Sequence, residues 1–164
     1  MSVADILNQV KKYNSEYVCL TGGEPLLQKE AFPLLQQLCD LGYKVSLETS
    51  GDIDCKDVDS RVLKIIDIKT PDSGEPQAFN LANLKYKGVN TEFKFVLCSK
   101  NDFDWAEEFC RKYNLFEYSL VLYSPSFGQI DEQWLADRII KKNSKARLQL
   151  QLHKYIWSSE ERGV

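Results

Sequence analysis

The chain has 164 residues, a length typical of one domain, and its 43% of hydrophobic and 12% of aromatic residues are enough to build a core. With 21 basic and 24 acidic residues the net charge is −3, which gives no electrostatic basis for a nucleic-acid partner. No apolar run approaches the roughly 18 residues of a membrane span, and residues 1–14 are amphipathic, unlike a signal peptide. A single cytoplasmic domain over 1–164 is therefore predicted, without a membrane partner.

Apolar periodicity divides the chain into alternating helices and strands. The first helix is predicted at 2–14, where Ser2 and Asp5 form the pattern of a capping box. Strands are predicted at 17–21, 43–50, 62–69, 92–98, 119–124 and 146–154. Between them, helices are predicted from Ala31 to Gly42, near 77–86, after a cap at Asn101 or Asp102 and after a cap at Asp131. This alternation indicates an α/β fold with about six mostly parallel strands and flanking helices, either an open wound sheet or a barrel.

Polar residues cluster where the predicted strands end. In parallel α/β folds, ligands bind at the carboxyl ends of the strands, so these positions are candidates for a site. The strand ends read TGGEP, ETSG, DIKTP and YSPSFG. Their polar residues and glycines include Thr21, Gly22, Gly23, Glu24, Glu48, Ser50, Lys69 and Ser124.

The glycine pair of TGGEP has two interpretations. Gly22 and Gly23 allow a tight turn with φ > 0 between a strand and a helix. Alternatively, the lack of side chains lets backbone amides and carbonyls contact a ligand. The chain has neither the GxGxxG pattern of dinucleotide-binding folds nor the lysine of a Walker A loop, so both of those sites are excluded.

The last predicted strand has one polar and one apolar face. Alternate residues of a strand point to opposite faces, so Gln149, Gln151 and His153 should form a column opposite three leucines. The column fits an edge strand with one wet face, and it fits equally well the lumen of an incomplete barrel that holds a polar ligand. A lone histidine is more often structural than functional, although its near-neutral pKa is useful in a site.

The five cysteines, Cys19, Cys39, Cys55, Cys98 and Cys110, do not have the spacing of a metal site. No CxxC pair occurs, and the single histidine lies far from all five in the sequence. The cysteines are interpreted as reduced thiols that serve as small hydrophobic residues.

The chain resembles the 7-carboxy-7-deazaguanine synthases, a branch of the radical S-adenosylmethionine (SAM) enzymes, on the ordered segments GGEP, ETSG, DIKTPDSGE, NLKY, EFKFVLCSKNDFDWA, LYSPSFGQID and LQLQLHKYIW. The resemblance covers essentially the whole chain. It implies a partial (β/α) radical SAM barrel that lacks its first strand. It implies a lyase that converts 6-carboxy-5,6,7,8-tetrahydropterin to 7-carboxy-7-deazaguanine and ammonia, in queuosine biosynthesis for tRNA modification. The implied cofactors are SAM, a 4Fe-4S cluster and Mg²⁺, and the family usually forms a homodimer.

The resemblance also implies roles for individual residues by motif position. Those expected at the amino-acid end of SAM are Gly22, Gly23 and Glu24. Those expected at the SAM carboxylate or ribose are Ser50, Lys69, Ser124, Gln149 and Gln151. Those expected at the pterin are Thr21, Glu48, His153 and the terminal carboxylate of Val164.

One part of the family pattern is missing from this sequence. The family binds its cluster through three cysteines spaced CxxxCxxC in an N-terminal segment, and no three cysteines here have that spacing. We therefore expect a truncated synthase that is inactive as this chain alone. The alternatives are another radical SAM activating enzyme, which the glutamine strand and LHKYIW disfavour, and a cluster-less domain that binds a nucleoside, a pterin or a partner chain.

Overall fold

The computed structural model describes residues 1–75, 79–88 and 90–157, so the predicted site residue Val164 lies outside the described part. The chain divides into two compact units, each formed by two segments. The first unit is Met1–Asp67 with Ala78–Glu92, and the second is Ile68–Gln77 with Phe93–Val164. The single domain expected from chain length stays a prediction.

The described residues contain six β-strands that follow one another in chain order through one sheet. The strands are Tyr17–Leu20 (β1), Lys44–Thr49 (β2), Leu63–Asp67 (β3), Thr91–Leu97 (β4), Leu120–Pro125 (β5) and Arg147–Leu148 (β6). Parallel pairing joins β1 to β2, β2 to β3 and β5 to β6. In this register Leu20 lies opposite Leu47, and Tyr123 lies opposite Leu148.

Helices and turns form the connections between the strands. The helices are Val3–Val10 (α1), Ala31–Asp40 (α2), Lys100–Lys112 (α3), Leu115–Tyr118 (α4), Glu132–Lys141 (α5) and His153–Ile156 (α6), with 3-10 turns at Pro25–Leu27, Cys55–Asp57, Pro71–Ser73 and Leu81–Tyr86. The predicted α/β class, with six parallel strands and flanking helices, is confirmed. Across the described ranges, no helix is both long and apolar enough to cross a membrane.

Side-chain caps fix the starts of two helices. The Ser2 hydroxyl accepts a hydrogen bond from the Asp5 amide, and Asp5 accepts one from the Ser2 amide, so the predicted capping box of α1 is confirmed. The predicted cap of α3, Asn101 or Asp102, is wrong. Ser99 caps this helix, because its hydroxyl accepts a hydrogen bond from the Asp102 amide at 3.1 Å.

In the second unit, aromatic rings fill the core between β4, β5 and α3. The ring of Tyr123, which is fully buried, makes edge-to-face contacts with Phe95 at 5.7 Å and with Phe103 at 5.6 Å between centroids. The Tyr123 hydroxyl donates a hydrogen bond to Glu107 at 3.0 Å. Burial raises the pKa of Tyr123, so this hydroxyl remains a donor at neutral pH.

The strand predicted at 146–154 is wrong beyond its first residues. β6 ends at Leu148, and one further ladder bond follows, from the Gln149 amide to the Tyr123 carbonyl at 2.9 Å. After that the backbone bonds to itself, since the Lys154 amide donates to the Gln151 carbonyl at 2.9 Å and α6 begins. The glutamines and His153 therefore do not form a column on one strand, although their alternation with leucine has the period of a strand.

Lys64 is a buried cation whose replacement should stabilise the protein. It is only 6% exposed, its ammonium donates to the Val62 carbonyl at 3.2 Å, and burial lowers its pKa below the ordinary 10.5. We expect Lys64→Met to raise the free energy of unfolding at neutral pH by about 1 kcal/mol, because it removes a desolvated charge. Urea denaturation of both proteins measures this difference.

The pH dependence of that difference has a definite sign. Between the lowered pKa of folded Lys64 and 10.5, the unfolded state binds more protons, so wild-type stability gains from rising pH in this window. The advantage of Lys64→Met should therefore shrink as pH rises toward 10.5. The exposed Lys29→Met variant is the control and should show no such trend. A constant difference between Lys64→Met and wild type would contradict the prediction.

Candidate functional site

The glycine loop after β1 leaves its backbone open on one side. Gly22 and Gly23 both have positive φ, 97° and 56°, a conformation that residues with a side chain rarely adopt. A Cβ atom added at either glycine would meet no heavy atom within 4 Å, so packing does not require glycine here. Thr21 is exposed at the start of this loop. The positive φ values confirm the turn of the first interpretation, and the exposed glycines leave backbone groups accessible, as the second interpretation requires.

Glu24 ties this loop to the end of β2. Its carboxylate accepts a hydrogen bond from the Leu26 amide at 2.9 Å and so caps the 3-10 turn Pro25–Leu27. It also accepts from the Thr49 hydroxyl at 2.9 Å, from the Ser50 amide at 2.7 Å and from the Ser50 hydroxyl at 2.6 Å. Donors from two separate segments therefore converge on one side chain, and the positions of the two segments depend on each other.

The hydroxyl of Ser50 lies between two carboxylates. Its oxygen is 2.6 Å from Glu24 and 2.7 Å from Asp52. A hydroxyl has a single hydrogen, so it can donate to only one of these carboxylates at a time. A ligand that brings a donor, such as an ammonium group, could bond to the other carboxylate.

Asn83 fixes the other side of the loop after β2. This side chain is fully buried in the turn Leu81–Tyr86. Its amide nitrogen donates to the carbonyls of Gly51 at 2.9 Å and Ile53 at 2.8 Å, and its oxygen accepts from the Cys55 amide at 2.9 Å. With these three bonds a single buried side chain determines the path of the chain immediately after Ser50.

In the second unit, three predicted site residues carry buried polar atoms that have no hydrogen-bond partner within the described ranges. Ser124 is 0% exposed, and its hydroxyl oxygen has no hydrogen-bond partner among the described residues. The side-chain carbonyl oxygens of Gln149 and Gln151 share this property, although both residues are half-buried overall. Buried polar groups are normally paired, so unpaired ones near strand ends indicate a place where a ligand or water completes the bonding.

The remaining predicted site residues differ in exposure. Lys69 is partly buried in the second unit, and its ammonium forms an ion pair with Glu75 at 3.7 Å. Glu48 is half-buried in the first unit, on the face of β2 opposite the buried Leu47. His153 is exposed on α6. The structure thus brings Glu24 and Ser50 into direct contact, whereas His153 is not held in a buried environment.

Two residues that support the site, Thr49 and Asn83, were not among the predicted site residues, although Thr49 lies in the strand-end segment ETSG. Thr49 could have been found, because strand alternation places it on the same buried face as Val45 and Leu47, and a buried hydroxyl needs a partner. Asn83 gave no local signal, since its partners Gly51 and Ile53 lie about 30 residues away in the sequence.

The cysteines do not form a cluster site in the described ranges. Cys55 and Cys110 are buried, and burial raises their thiol pKa to about 11 and about 12, which disfavours the thiolates that bind iron. No group of three or more His, Cys, Asp or Glu side chains in the described part of the chain could hold a metal ion. A 4Fe-4S cluster therefore does not fit these residues.

Comparison with known proteins shows close sequence relatives. No protein-family model matches the chain. A 7-carboxy-7-deazaguanine synthase of Chlorobaculum tepidum is 38% identical over 167 residues, which cover 100% of this chain and 76% of that protein. A protein of the same name from Koribacter versatilis is 38% identical over 179 residues, covering 100% of this chain and 79% of the relative.

Among solved structures, Streptococcus suis SuiB bound to S-adenosylmethionine has a similar fold. The TM-score is 0.62 at 17% sequence identity, and the match covers 92% of this chain and 41% of SuiB. SuiB bound to its precursor peptide SuiA gives a TM-score of 0.64 at 15% identity, with 42% of that chain covered. At these identities the likeness concerns the fold alone.

Proposed function

Because this chain belongs to the 7-carboxy-7-deazaguanine synthase family, we propose that it supplies the SAM-binding and substrate-binding residues of that enzyme. The proposed reaction converts 6-carboxy-5,6,7,8-tetrahydropterin to 7-carboxy-7-deazaguanine, with contraction of one ring and loss of ammonia. In this proposal SAM and a 4Fe-4S cluster would supply the radical chemistry, although the described residues do not provide ligands for the cluster. Queuosine biosynthesis, Mg²⁺, a homodimer and a cytoplasmic location belong to the same proposal and rest on the family resemblance.

The conformation of the loop after β1 carries this proposal. The backbone of Gly22 and Gly23 is exposed and has positive φ. The next residue, Glu24, links this loop to the end of β2 through its hydrogen bond with the Ser50 amide. Backbone carbonyls are good acceptors for the ammonium group of a methionyl moiety. The single hydrogen of the Ser50 hydroxyl serves two carboxylates, so a positively charged donor would also improve the bonding of Asp52 or Glu24.

The unpaired atoms of the second unit support a polar ligand as well. The Ser124 hydroxyl can donate to a carboxylate, and the side-chain carbonyls of Gln149 and Gln151 can accept from ribose hydroxyls. A ligand that satisfies three such atoms gains three hydrogen bonds and relieves their desolvation penalty. We assign these residues and Lys69 to the carboxylate and ribose of SAM, and the family resemblance alone gives Ser50 of the first unit the same role.

Pterin recognition is assigned to a different set of residues. The edge of a pterin carries a row of hydrogen-bond donors and acceptors. A carboxylate near a strand end can accept hydrogen bonds from those donors. Glu48 is in this position near the end of β2, and Thr21 follows β1. The exposed His153 and the terminal carboxylate of Val164 complete the proposed set.

The Ser124 hydroxyl offers a direct test of SAM binding. We expect Ser124→Ala to weaken SAM binding by about tenfold, because the variant removes a buried hydroxyl that the ligand would satisfy. Titration calorimetry measures the dissociation constant. Thr91→Val is the matched control, since the Thr91 hydroxyl is also buried and unpaired among the described residues but lies at the amino end of β4. Equal effects of the two variants would contradict the assignment of Ser124.

The reaction itself can be tested by adding cluster ligands. Anaerobic iron and sulfide reconstitution of the 164-residue chain should give no stoichiometric 4Fe-4S absorption, because its cysteines lack the required spacing. A chimera that adds an N-terminal segment with the CxxxCxxC pattern of the family should hold a cluster and convert the carboxytetrahydropterin to the deazaguanine. If the chimera cleaves SAM but leaves this pterin unchanged, the proposed substrate is wrong.

A further inference from the structure

Asp102 is a buried carboxylate that joins two strand ends. It is 1% exposed and lies in the first turn of α3. Its carboxylate accepts hydrogen bonds from the Asp72 amide at 3.1 Å and from the Cys98 amide at 2.9 Å. The Thr70 hydroxyl lies 2.9 Å from the same carboxylate and 3.1 Å from the Val96 carbonyl, so its single hydrogen bonds to one of these two acceptors at a time. Thr70 and Asp72 follow β3, and Cys98 follows β4. One side chain therefore hydrogen-bonds to the segments that follow both strands.

This arrangement is separate from the capping of the helix. Ser99 caps α3, so the Asp102 carboxylate is not needed for that role. The Ser99 hydroxyl also donates to the Asp72 carboxylate at 2.5 Å, which adds a second link between the same two segments. A carboxylate in the first turn of a 13-residue helix is favoured by the helix dipole, and its donors satisfy both of its oxygens.

The segment that Asp102 holds begins directly after Lys69. Thr70 is 1% exposed, and its carbonyl accepts from the Ser73 amide at 3.1 Å and from the Ser73 hydroxyl at 2.7 Å. The turn Pro71–Ser73 is therefore anchored from inside by Asp102 and closed on itself by Ser73. Fixing Thr70 in this way restricts the backbone of the preceding Lys69, whose ammonium lies 3.7 Å from a carboxylate oxygen of Glu75.

We infer that Asp102 is a positioning residue for Lys69: it fixes the chain after β3 so that the ammonium of Lys69 is directed at the carboxylate or ribose of SAM. The role for Lys69 rests on the proposed function, whereas the anchoring by Asp102 rests on the three hydrogen bonds alone. An asparagine at this position would keep one carbonyl acceptor but would turn an amide N–H₂ toward at least one existing donor. The segment should then lose part of its anchoring while the helix keeps its Ser99 cap.

Hydrogen exchange of the ligand-free protein tests the anchoring. We expect Asp102→Asn to speed amide exchange at Asp72 and Ser73 by at least about tenfold, since these amides lose protection by local opening. The matched control is Asp104→Asn, the same change two residues away at an exposed aspartate that pairs with Arg138. Thr70→Val removes one of the three donors without a change in charge and should give a smaller effect in the same direction. Unchanged exchange in both Asp102→Asn and Thr70→Val would overturn the inference.

A double-mutant cycle on SAM affinity tests the link to Lys69. Asp102→Asn and Lys69→Met should each weaken SAM binding by about tenfold, and the double variant should be little weaker than Lys69→Met alone. Additive losses would show that Asp102 acts on SAM binding independently of Lys69 and would overturn its positioning role. If wild-type protein binds no SAM, the proposed function fails, and the exchange experiment alone then decides whether Asp102 holds the segment.

Discussion

Replacing Gly51 by alanine is expected to lower the free energy of unfolding by about 2–5 kcal/mol, the largest stability effect of any single substitution considered. The φ of Gly51 is +75°, where a residue with a Cβ atom is strained by about 1–2 kcal/mol. The new Cβ would also lie 2.7 Å from Cγ2 of Ile66 and 3.0 Å from the Phe79 ring. Relief of such contacts in a packed core usually costs a further 1–3 kcal/mol or so.

A second glycine separates the two causes of that loss. Gly74 has the same φ of +75°, but a Cβ there would meet no heavy atom of the described residues within 4 Å. Gly74→Ala should therefore lose only the strain of about 1–2 kcal/mol. Urea denaturation of both variants measures the difference. Equal losses at Gly51 and Gly74 would show that the contacts with Ile66 and Phe79 relax freely.

The Gly51 variant should affect ligand binding as well as stability. The carbonyl of Gly51 accepts from the Asn80 amide at 2.8 Å and from the Asn83 side chain at 2.9 Å. A shift of this residue to relieve the clash would move the adjacent Ser50, whose amide bonds to Glu24. We therefore expect weaker SAM binding in Gly51→Ala than in Gly74→Ala under conditions where both proteins are folded.

Local patterns predicted much of the fold because the relevant physics acts within a few residues. The alternation of Val45 and Leu47 with polar residues defines the buried face of β2, and the Ser2 and Asp131 caps each use an amide three residues away. The same local reasoning failed after Leu148. There the leucine and glutamine alternation continues, but backbone bonds within the segment replace the bonds to β5.

The supporting residues of the site could not be predicted in the same way. Asn83 and Asp102 are buried, and their partners Gly51 and Thr70 each lie 32 residues away in the sequence, beyond the reach of a local pattern. A pattern with the period of a helix does place Asp102 on the buried face of α3, four residues before the buried Ala106. That pattern indicates burial of the carboxylate, but it does not identify the donors.

Hydrogen bonding separates the anchoring residues from those that we propose to bind a ligand. Glu24, Asn83 and Asp102 each collect three or more bonds from segments that follow strands, and so they fix the loops. Ser124 and Gln149 instead carry buried polar atoms with no partner among the described residues. Since a buried polar group without a partner costs about 1–3 kcal/mol, the second set is the one that a bound ligand can stabilise.

This distinction leads to a specific expectation for Glu24. Glu24→Ala should lower the free energy of unfolding by about 2–4 kcal/mol, because the Thr49 hydroxyl and the amides of Leu26 and Ser50 lose their acceptor. It should also weaken SAM binding by about 100-fold, since the open backbone of Gly22 and Gly23 would no longer be held against β2. Urea denaturation and titration calorimetry measure the two effects.

Two comparisons show whether Glu24 anchors the loop or contacts the cofactor itself. Glu30→Ala removes the same charge from an exposed helix-capping position without a side-chain bond, and it should change neither quantity appreciably. Glu24→Gln keeps one acceptor oxygen but turns an amide N–H₂ toward Ser50 or Leu26, so its losses should lie between those of wild type and Glu24→Ala. If Glu24→Ala strongly weakens SAM binding while its free energy of unfolding stays within about 0.5 kcal/mol of wild type, the carboxylate binds SAM directly. Parallel losses in stability and affinity are expected instead. The Glu24 carboxylate accepts four hydrogen bonds from Leu26, Thr49 and Ser50, so its removal should disturb the loop and, through the loop, the binding of SAM.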